Sequence, residues 1–259
     1  FAKGFGNSKA LGFGNDKRIE AKMITISCAS PKGGVGKTTV STILATTLAA
    51  PKSGKPPRVR VIDADPSANL TRWAAERAGK GRAALFDVTS DVVAETMIDT
   101  IDSIEEEGET DFLIIDLEGT AGEIVGYAIG RSDLTVIPMS ASSMDARQAA
   151  KASQLVKRMA KTFKIDLPYV FAFCRTNAAI MTREHKGIIE QLEAHNEPVL
   201  GVDLKERSAY RAIFTEGATV PELEENKTGS IAKAQANAVA FTQAVLDYLA
   251  KSRSVSEAA

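Results

Sequence analysis

Cysteine, histidine and tryptophan are scarce in this chain of 259 residues, which holds two, two and one of them. Cys28 and Cys174 cannot build a disulfide framework, so packing must hold the fold, and a reducing compartment fits. His185 and His195 have no ligand partners near them in sequence and are expected at the surface. Long apolar runs are also missing. None approaches the roughly 18 residues that a membrane span requires, which argues against stable membrane insertion. The first residues are glycine-rich and polar, without the apolar stretch of a secretory signal. No charge predominates either: 32 Lys and Arg face 33 Asp and Glu. Whole-chain charge therefore points to no nucleic acid or membrane partner, and any such partner must be met by a local patch. What remains is ordinary for a globular protein, with 44% apolar and 25% charged residues.

Residues 1–22 stand apart, because Gly4-Phe5-Gly6-Asn7-Ser8-Lys9 nearly recurs as Gly12-Phe13-Gly14-Asn15-Asp16-Lys17. A short glycine-rich repeat has no apolar periodicity and builds no core. It reads as a flexible tail or, alternatively, as a docking motif built on Phe5 and Phe13. From Met23 onward, strand and helix signals alternate. Short apolar runs lie at 23–28, 58–62, 112–115, 134–138 and 169–173, with weaker ones at 82–88 and 199–202. Helical stretches lie near 37–49, 69–78, 90–106, 144–163, 183–195 and 232–250. This pattern predicts a doubly wound α/β domain with a mostly parallel sheet and helices on both faces. The domain is expected over 23–250, with a C-terminal tail over 251–259.

The most informative segment is Pro31-Lys32-Gly33-Gly34-Val35-Gly36-Lys37-Thr38-Thr39, placed between a strand and a helix. Glycines let successive backbone N–H groups turn inward around phosphate oxygens, and a helix N-terminus adds positive potential. Lys37 can reach the β- and γ-phosphates, and the Thr38 hydroxyl can ligate Mg²⁺. The Gly-Lys-Thr ending and the strand–loop–helix context raise this above a mere glycine turn and predict a P-loop NTPase. Lys32 is unusual, since a second lysine beside Lys37 is costly without extra anionic charge to face.

Lys-Gly-Gly-Val-Gly-Lys-Thr-Thr resembles the deviant Walker A motif of the ParA/MinD ATPases. The resemblance covers roughly 23–250. It implies an ATPase that uses ATP and Mg²⁺ and dimerises around ATP, with Lys32 crossing the interface to act on the partner's nucleotide, as an arginine finger does. A solvated loop lysine is the plainer alternative. The segment Asp63-Ala64-Asp65-Pro66-Ser67-Ala68-Asn69 is similar to the family's second motif, although Ser67 and Ala68 replace its usual Gln-Gly. Strand alternation places Asp63 and Asp65 on one face. The resemblance implies that Asp65 handles the attacking water and that Asp63 holds the water shell of Mg²⁺. A helix-capping role for Asp65 is the alternative. An apolar strand ending in Asp116 is a Walker B signal and implies a further Mg²⁺ residue. The family continues with proline, whereas this chain reads Leu117-Glu118-Gly119. Glu118 is an extra carboxylate, read either as a surface residue or as a second water-positioning group. Arg175 and Asn177 occupy the place from which ParA-like proteins hold adenine.

Two basic groups stand out. In 144–163, Arg147, Lys151, Arg158 and Lys161 fall on one helical stripe, opposite Leu155, Val156, Met159 and Phe163. Lys205, Arg207 and Arg211 form the second group, in a segment that looks like one contributing to DNA binding in ParA dimers. Either group suits salt-sensitive, sequence-independent contact with phosphate backbones, or else a solvated face.

The leading expectation is a ParA-like ATPase that dimerises on ATP, binds double-stranded DNA non-specifically and positions or segregates plasmid or chromosomal DNA. A ParB-like centromere-binding or cargo adaptor protein would stimulate slow turnover. The protein would be cytoplasmic, and nucleoid-associated when ATP-bound. Only about 22 residues precede the first strand, which leaves no room for the N-terminal helix-turn-helix domain of larger ParA proteins. The run Asn69-Leu70-Thr71-Arg72-Trp73 is also similar to a ParA relative from conjugative DNA-transfer regions, which recruits the transfer substrate to the cell pole. Other readings are a MinD-like membrane-cycling ATPase, a nitrogenase-reductase-like electron carrier and a small-molecule P-loop enzyme. The polar C-terminus and the lack of cluster cysteines argue against the first two.

Overall fold

Short runs of Ile, Val and Leu become the strands of one parallel sheet in the computed structural model, which describes residues 22–50, 55–119, 122–224 and 230–256. The strands are β1 (Ile24–Cys28), β2 (Val59–Ala64), β3 (Asp87–Thr89), β4 (Phe112–Leu117), β5 (Leu134–Met139), β6 (Tyr169–Thr176) and β7 (Leu204–Lys205). Their order is β3-β2-β4-β1-β5-β6-β7, with every pairing parallel. A parallel sheet needs cover on both faces. One face carries α1 (Lys37–Leu48), α2 (Asn69–Gly79), α7 (Ser208–Glu216) and α8 (Ile231–Ser256). The other carries α3 (Ala94–Glu106), α4 (Glu123–Gly130), α5 (Ser143–Phe163) and α6 (Arg183–Ala194). Along β4, Ile114 packs into the first layer while Leu113 and Ile115 pack into the second. This is the doubly wound arrangement that the alternating signals predict.

The central helix α1 has polar residues in a buried place. Ser41, Thr42 and Thr46 are buried, and their hydroxyls donate to the carbonyls of Lys37, Thr38 and Thr42 one turn back. That local bond removes the cost of an unmet buried hydroxyl. Trp73 on α2 is a packing residue, 2% exposed. It stacks on Phe86 at 5.4 Å between ring centroids, and its indole N–H donates to the Ala218 carbonyl at 3.1 Å. Arg77, one turn later, is only 4% exposed. Its guanidinium donates to Glu222 at 2.7 and 2.9 Å and to the Ala83 carbonyl at 2.6 Å, tying α2 to the segment after α7.

Several expectations change. The strand expected to end at Ile62 runs on through Ala64, and the one expected to end at Ile115 runs on through Leu117. Pairing of Asp63 with Asp116 draws both carboxylates into the sheet. Helices α4 and α7 have no counterpart among the expected helical stretches. The first is eight residues long with two glycines, and the second stands out in sequence only for its basic residues. Val199 makes a lone bridge to Phe171, and the seventh strand lies further on, at Leu204–Lys205. Phe163, expected on an inner face, is half exposed beside Gly130. His185 is not at the surface. It is 3% exposed, with its ring 4.3 Å from that of Phe173. Helix α8 continues through Ser256, into residues expected to form a tail. The repeat at 4–17 lies outside the described residues.

Candidate functional site

At the carboxyl edge of the sheet, β1 ends and the chain turns through residues 29–36 into α1. The turn requires glycine at its last position. Gly36 has φ +106°, and a Cβ there would lie 3.3 Å from that of Cys174. The loop opens on a cavity of about 500 Å³. Gly33, Gly34, Gly36, Lys37, Thr38 and Thr39 line its floor. Asp65, Pro66, Ser67 and Asn69 form one wall, and Glu118 and Gly119 come from the end of β4. The far end is lined by Cys174, Arg175, Leu204, Lys205, Glu206, Arg207, Tyr210 and Arg211. Val35 lies underneath, 2% exposed, and anchors the loop without lining the cavity.

The floor is electropositive. Lys37 is buried, and its ammonium donates to the Lys32 carbonyl at 3.2 Å. Gly119 packs directly over it, because a Cβ there would sit 3.3 Å from the Gly33 nitrogen and 3.4 Å from Lys37 Nζ. A side chain there would push the loop or the Lys37 ammonium back by a few tenths of an ångström. Lys32 turns away from the floor. Its side chain is ion-paired with Asp145, a buried residue in the first turn of α5. Burial alone would raise the Asp145 carboxyl, but hydrogen bonds from Lys32 and Ser140 hold it below the usual carboxylate range.

The carboxylates form an inner and an outer group. Asp63 is 3% exposed, and its Oδ2 accepts from the Thr71 amide and hydroxyl at 2.8 and 2.7 Å. Asp116 is fully buried, and its Oδ1 accepts from the Ser41 hydroxyl at 2.9 Å. Burial pushes the Asp116 carboxyl up to about 7, against hydrogen bonds from Thr38 and Ser41, while the charges of Asp63 and Asp65 push the same way as burial. One oxygen of each inner residue, Asp63 Oδ1 and Asp116 Oδ2, is buried without a hydrogen-bond partner. Hard, unmet oxygens beside the Thr38 hydroxyl suit the water shell of Mg²⁺, so Thr38, Asp63 and Asp116 fit the ion. Among the described residues, no group of three His, Cys, Asp or Glu side chains could hold a metal unaided. Mg²⁺ would complete its shell with water and phosphate oxygens. Asp65 lies just beyond the strand, lining the cavity, and its Oδ1 accepts from the Ser67 amide at 2.8 Å.

At the far end, Arg175 has a left-handed backbone, φ +57°. Its guanidinium donates to the Gly34 carbonyl at 2.6 Å and to Glu206 at 3.3 Å. Asn177 is not brought to the cavity. Its Oδ1 accepts from the amides of Ala179 and Ile180, which closes its own turn. The adenine contact expected of Asn177 finds no support in that placement. Lys205 pairs with Asp203 at 2.7 Å, Arg211 pairs with Glu206, and Arg207 lies beside Tyr210. The basic group at 205–211 is thus a cavity wall, with two of its three cations ion-paired. By contrast, Arg147, Lys151, Arg158 and Lys161 are exposed along α5, and among the described residues none makes an ion pair. Ser41, Thr71, Asp145 and Glu206 escaped sequence reasoning. Only Ser41 left a signal there, one helical turn after Lys37.

Comparison with known proteins agrees with this geometry. A family model described as "VirC1 protein" matches residues 23–257. "Protein ParA" of Rhizobium radiobacter is 33% identical over 228 residues, which is 88% of this chain and 98% of that protein. "Maintenance of carboxysome distribution protein A" of Halothiobacillus neapolitanus is 27% identical over 205 residues, 78% of this chain and 88% of that protein. Among solved structures, an ATP complex of a Cyanothece McdA variant superposes with a TM-score of 0.67 at 18% identity, over 87% of this chain and 97% of that one. The MinC:MinD cell division complex of Aquifex aeolicus gives 0.64 at 19% identity, over 86% and 96%. At such identities the two structures speak to the fold alone.

Proposed function

Because the chain belongs to the VirC1 family, within the ParA/MinD ATPases, we propose that it is an ATP-driven switch that positions DNA. ATP would lie in the cavity with its phosphates in the loop Gly33–Thr39 and its base toward Arg175. Backbone N–H groups and Lys37 hold the phosphates. Mg²⁺, held through Thr38, Asp63 and Asp116, would supply neutralisation of the phosphate charge. Asp65, on the cavity wall, orients the attacking water or takes its proton.

The observation that supports a dimeric switch is Lys32, a second cation on the phosphate loop that is turned away from its own cavity and paired with Asp145. A partner protomer's nucleotide offers the anionic charge that would draw it out. Dimerisation would then present two copies of the α5 stripe to a DNA backbone, and hydrolysis would release them. A ParB-like or cargo adaptor protein would trigger that release.

Binding to arbitrary double-stranded DNA, measured with ATP, with ADP and without nucleotide, tests this reading. Asp65→Ala serves to trap the ATP state. Binding only with ATP, lost in high salt and in Lys37→Ala, is the expected result. An ATP-dependent dimer that binds no DNA would overturn the DNA role. That outcome would favour a second reading, positioning of a protein cargo or a transfer substrate, which the resemblance to carboxysome-distribution proteins supports. No described helix is long and apolar enough to cross a membrane.

A further inference from the structure

We infer that Glu118 is a second water-handling carboxylate for ATP hydrolysis and works as a pair with Asp65. The inference rests on the ATPase reading above. Strands β2 and β4 carry the same pattern, Asp63-Ala64-Asp65 and Asp116-Leu117-Glu118. They also run in register, with Asp63 beside Asp116 and Ala64 beside Leu117. The pairing ends at Ala64 and Leu117, and Asp65 and Glu118 are the next residue after each strand, at the edge of the sheet where the cavity opens.

The two pairs have different surroundings. Asp63 and Asp116 are buried and held by Thr71 and Ser41. Asp65 and Glu118 both line the cavity. Gly119, next in the chain, lies against the Gly33 nitrogen and Lys37 Nζ, so Glu118 enters the cavity at the end where Lys37 stops. That is the γ-phosphate end of a nucleotide whose phosphates lie in the loop. Asp65 Oδ1 accepts from the Ser67 amide at 2.8 Å, which leaves its second oxygen for a water in the cavity.

In the reaction, the water oxygen bonds to the γ-phosphorus while the bond from phosphorus to the bridging oxygen of ADP breaks. One water proton passes to the Glu118 carboxylate and then to solvent. Asp65 holds the remaining O–H.

The test is single-turnover hydrolysis of labelled ATP by the full chain, Glu118→Gln, Asp65→Asn, the double variant and Glu118→Asp. Equilibrium ATP binding and thermal melts are measured alongside. Glu118→Gln should slow turnover roughly 10–100-fold with ATP affinity within about threefold. Glu118→Asp should restore part of the rate. The double variant should lose less than the product of the single losses, because the pair acts as a unit. A Glu118→Gln rate within twofold of an active wild type would overturn the role of Glu118 alone. So would equal losses of rate and of ATP affinity. A wild type that binds ATP and never turns it over would overturn the ATPase reading itself.

Discussion

The two basic groups look alike in sequence and differ in the fold. Along α5, Arg147, Lys151, Arg158 and Lys161 face outward with no ion pair among the described residues. Across the cavity, Lys205 and Arg211 meet Asp203 and Glu206, and Arg207 meets Tyr210. A cation already compensated gains less from a phosphate, since its carboxylate must first be displaced. An uncompensated one gains the full release of counterions. The first group is thus suited to a nucleic acid surface and the second to shaping a ligand site. Even within α5 the rule discriminates, because Lys157 lies beside the stripe but is paired with Glu197 at 2.6 Å.

The sharpest way to break this contrast is to remove what holds the cavity wall. Arg77→Leu leaves Glu222 without the guanidinium that keeps its carboxyl down at about 2, and also leaves the Ala83 carbonyl and the buried Gly217 carbonyl without that donor. The cost should be about 2–4 kcal/mol in urea unfolding, with ATP binding weakened and the α5 stripe untouched. A loss within error of zero would show that α2 and the wall are held by packing alone. Next in size is the surface stripe. Arg147→Glu with Lys151→Glu should weaken DNA binding by roughly 10–100-fold and reduce the slope of log affinity against log salt by about 2, with ATP binding unchanged. An equal effect from Arg211→Glu on DNA, at saturating ATP, would erase the distinction between the groups.

A third prediction concerns pH. Asp116 has its folded-state carboxyl raised to about 7 by burial, so the folded state retains a proton that the unfolded state has lost. Between about pH 4 and pH 7 the nucleotide-free protein should therefore lose stability as pH rises. Asp116→Asn should flatten that part of the profile in thermal melts, and a slope identical to wild type would assign the effect to another group. Smallest of all, Arg211→Ala should change ATP affinity by about 3–10-fold, read by equilibrium titration, because its charge is already shared with Glu206.

Sequence patterns carried much of the fold. Runs such as Leu113-Ile114-Ile115 and Tyr169-Val170-Phe171-Ala172-Phe173 read directly as strands because they are buried on both faces. The phosphate loop was legible for a local reason too, since its glycines, Lys37 and Thr38 are contiguous. Helices α4 and α7 and strand β7 were not legible. Helix α4 holds two glycines in eight residues, and β7 has two residues, so neither shows a period. His185 misled because a lone histidine carries no local sign of the Phe173 ring that covers it. Asn177 gave no sign in sequence of the turn that its own Oδ1 closes.

The chain by itself determined the sequence of strands and helices, the loop that faces phosphate and the carboxylates that follow two strands. These depend on neighbours within a few residues, through backbone conformation and apolar periodicity. Only the tertiary structure decided that Lys32 meets Asp145, that Glu118 and Asp65 line one cavity, and that the α5 stripe makes no ion pair among the described residues while Lys205 and Arg211 are paired. These associations of Lys32 and Glu118 span from about fifty to more than a hundred residues, and the order of strands in the sheet sets them. Residue type states what a side chain can do. Its partner, chosen by the fold, states what is left for a ligand.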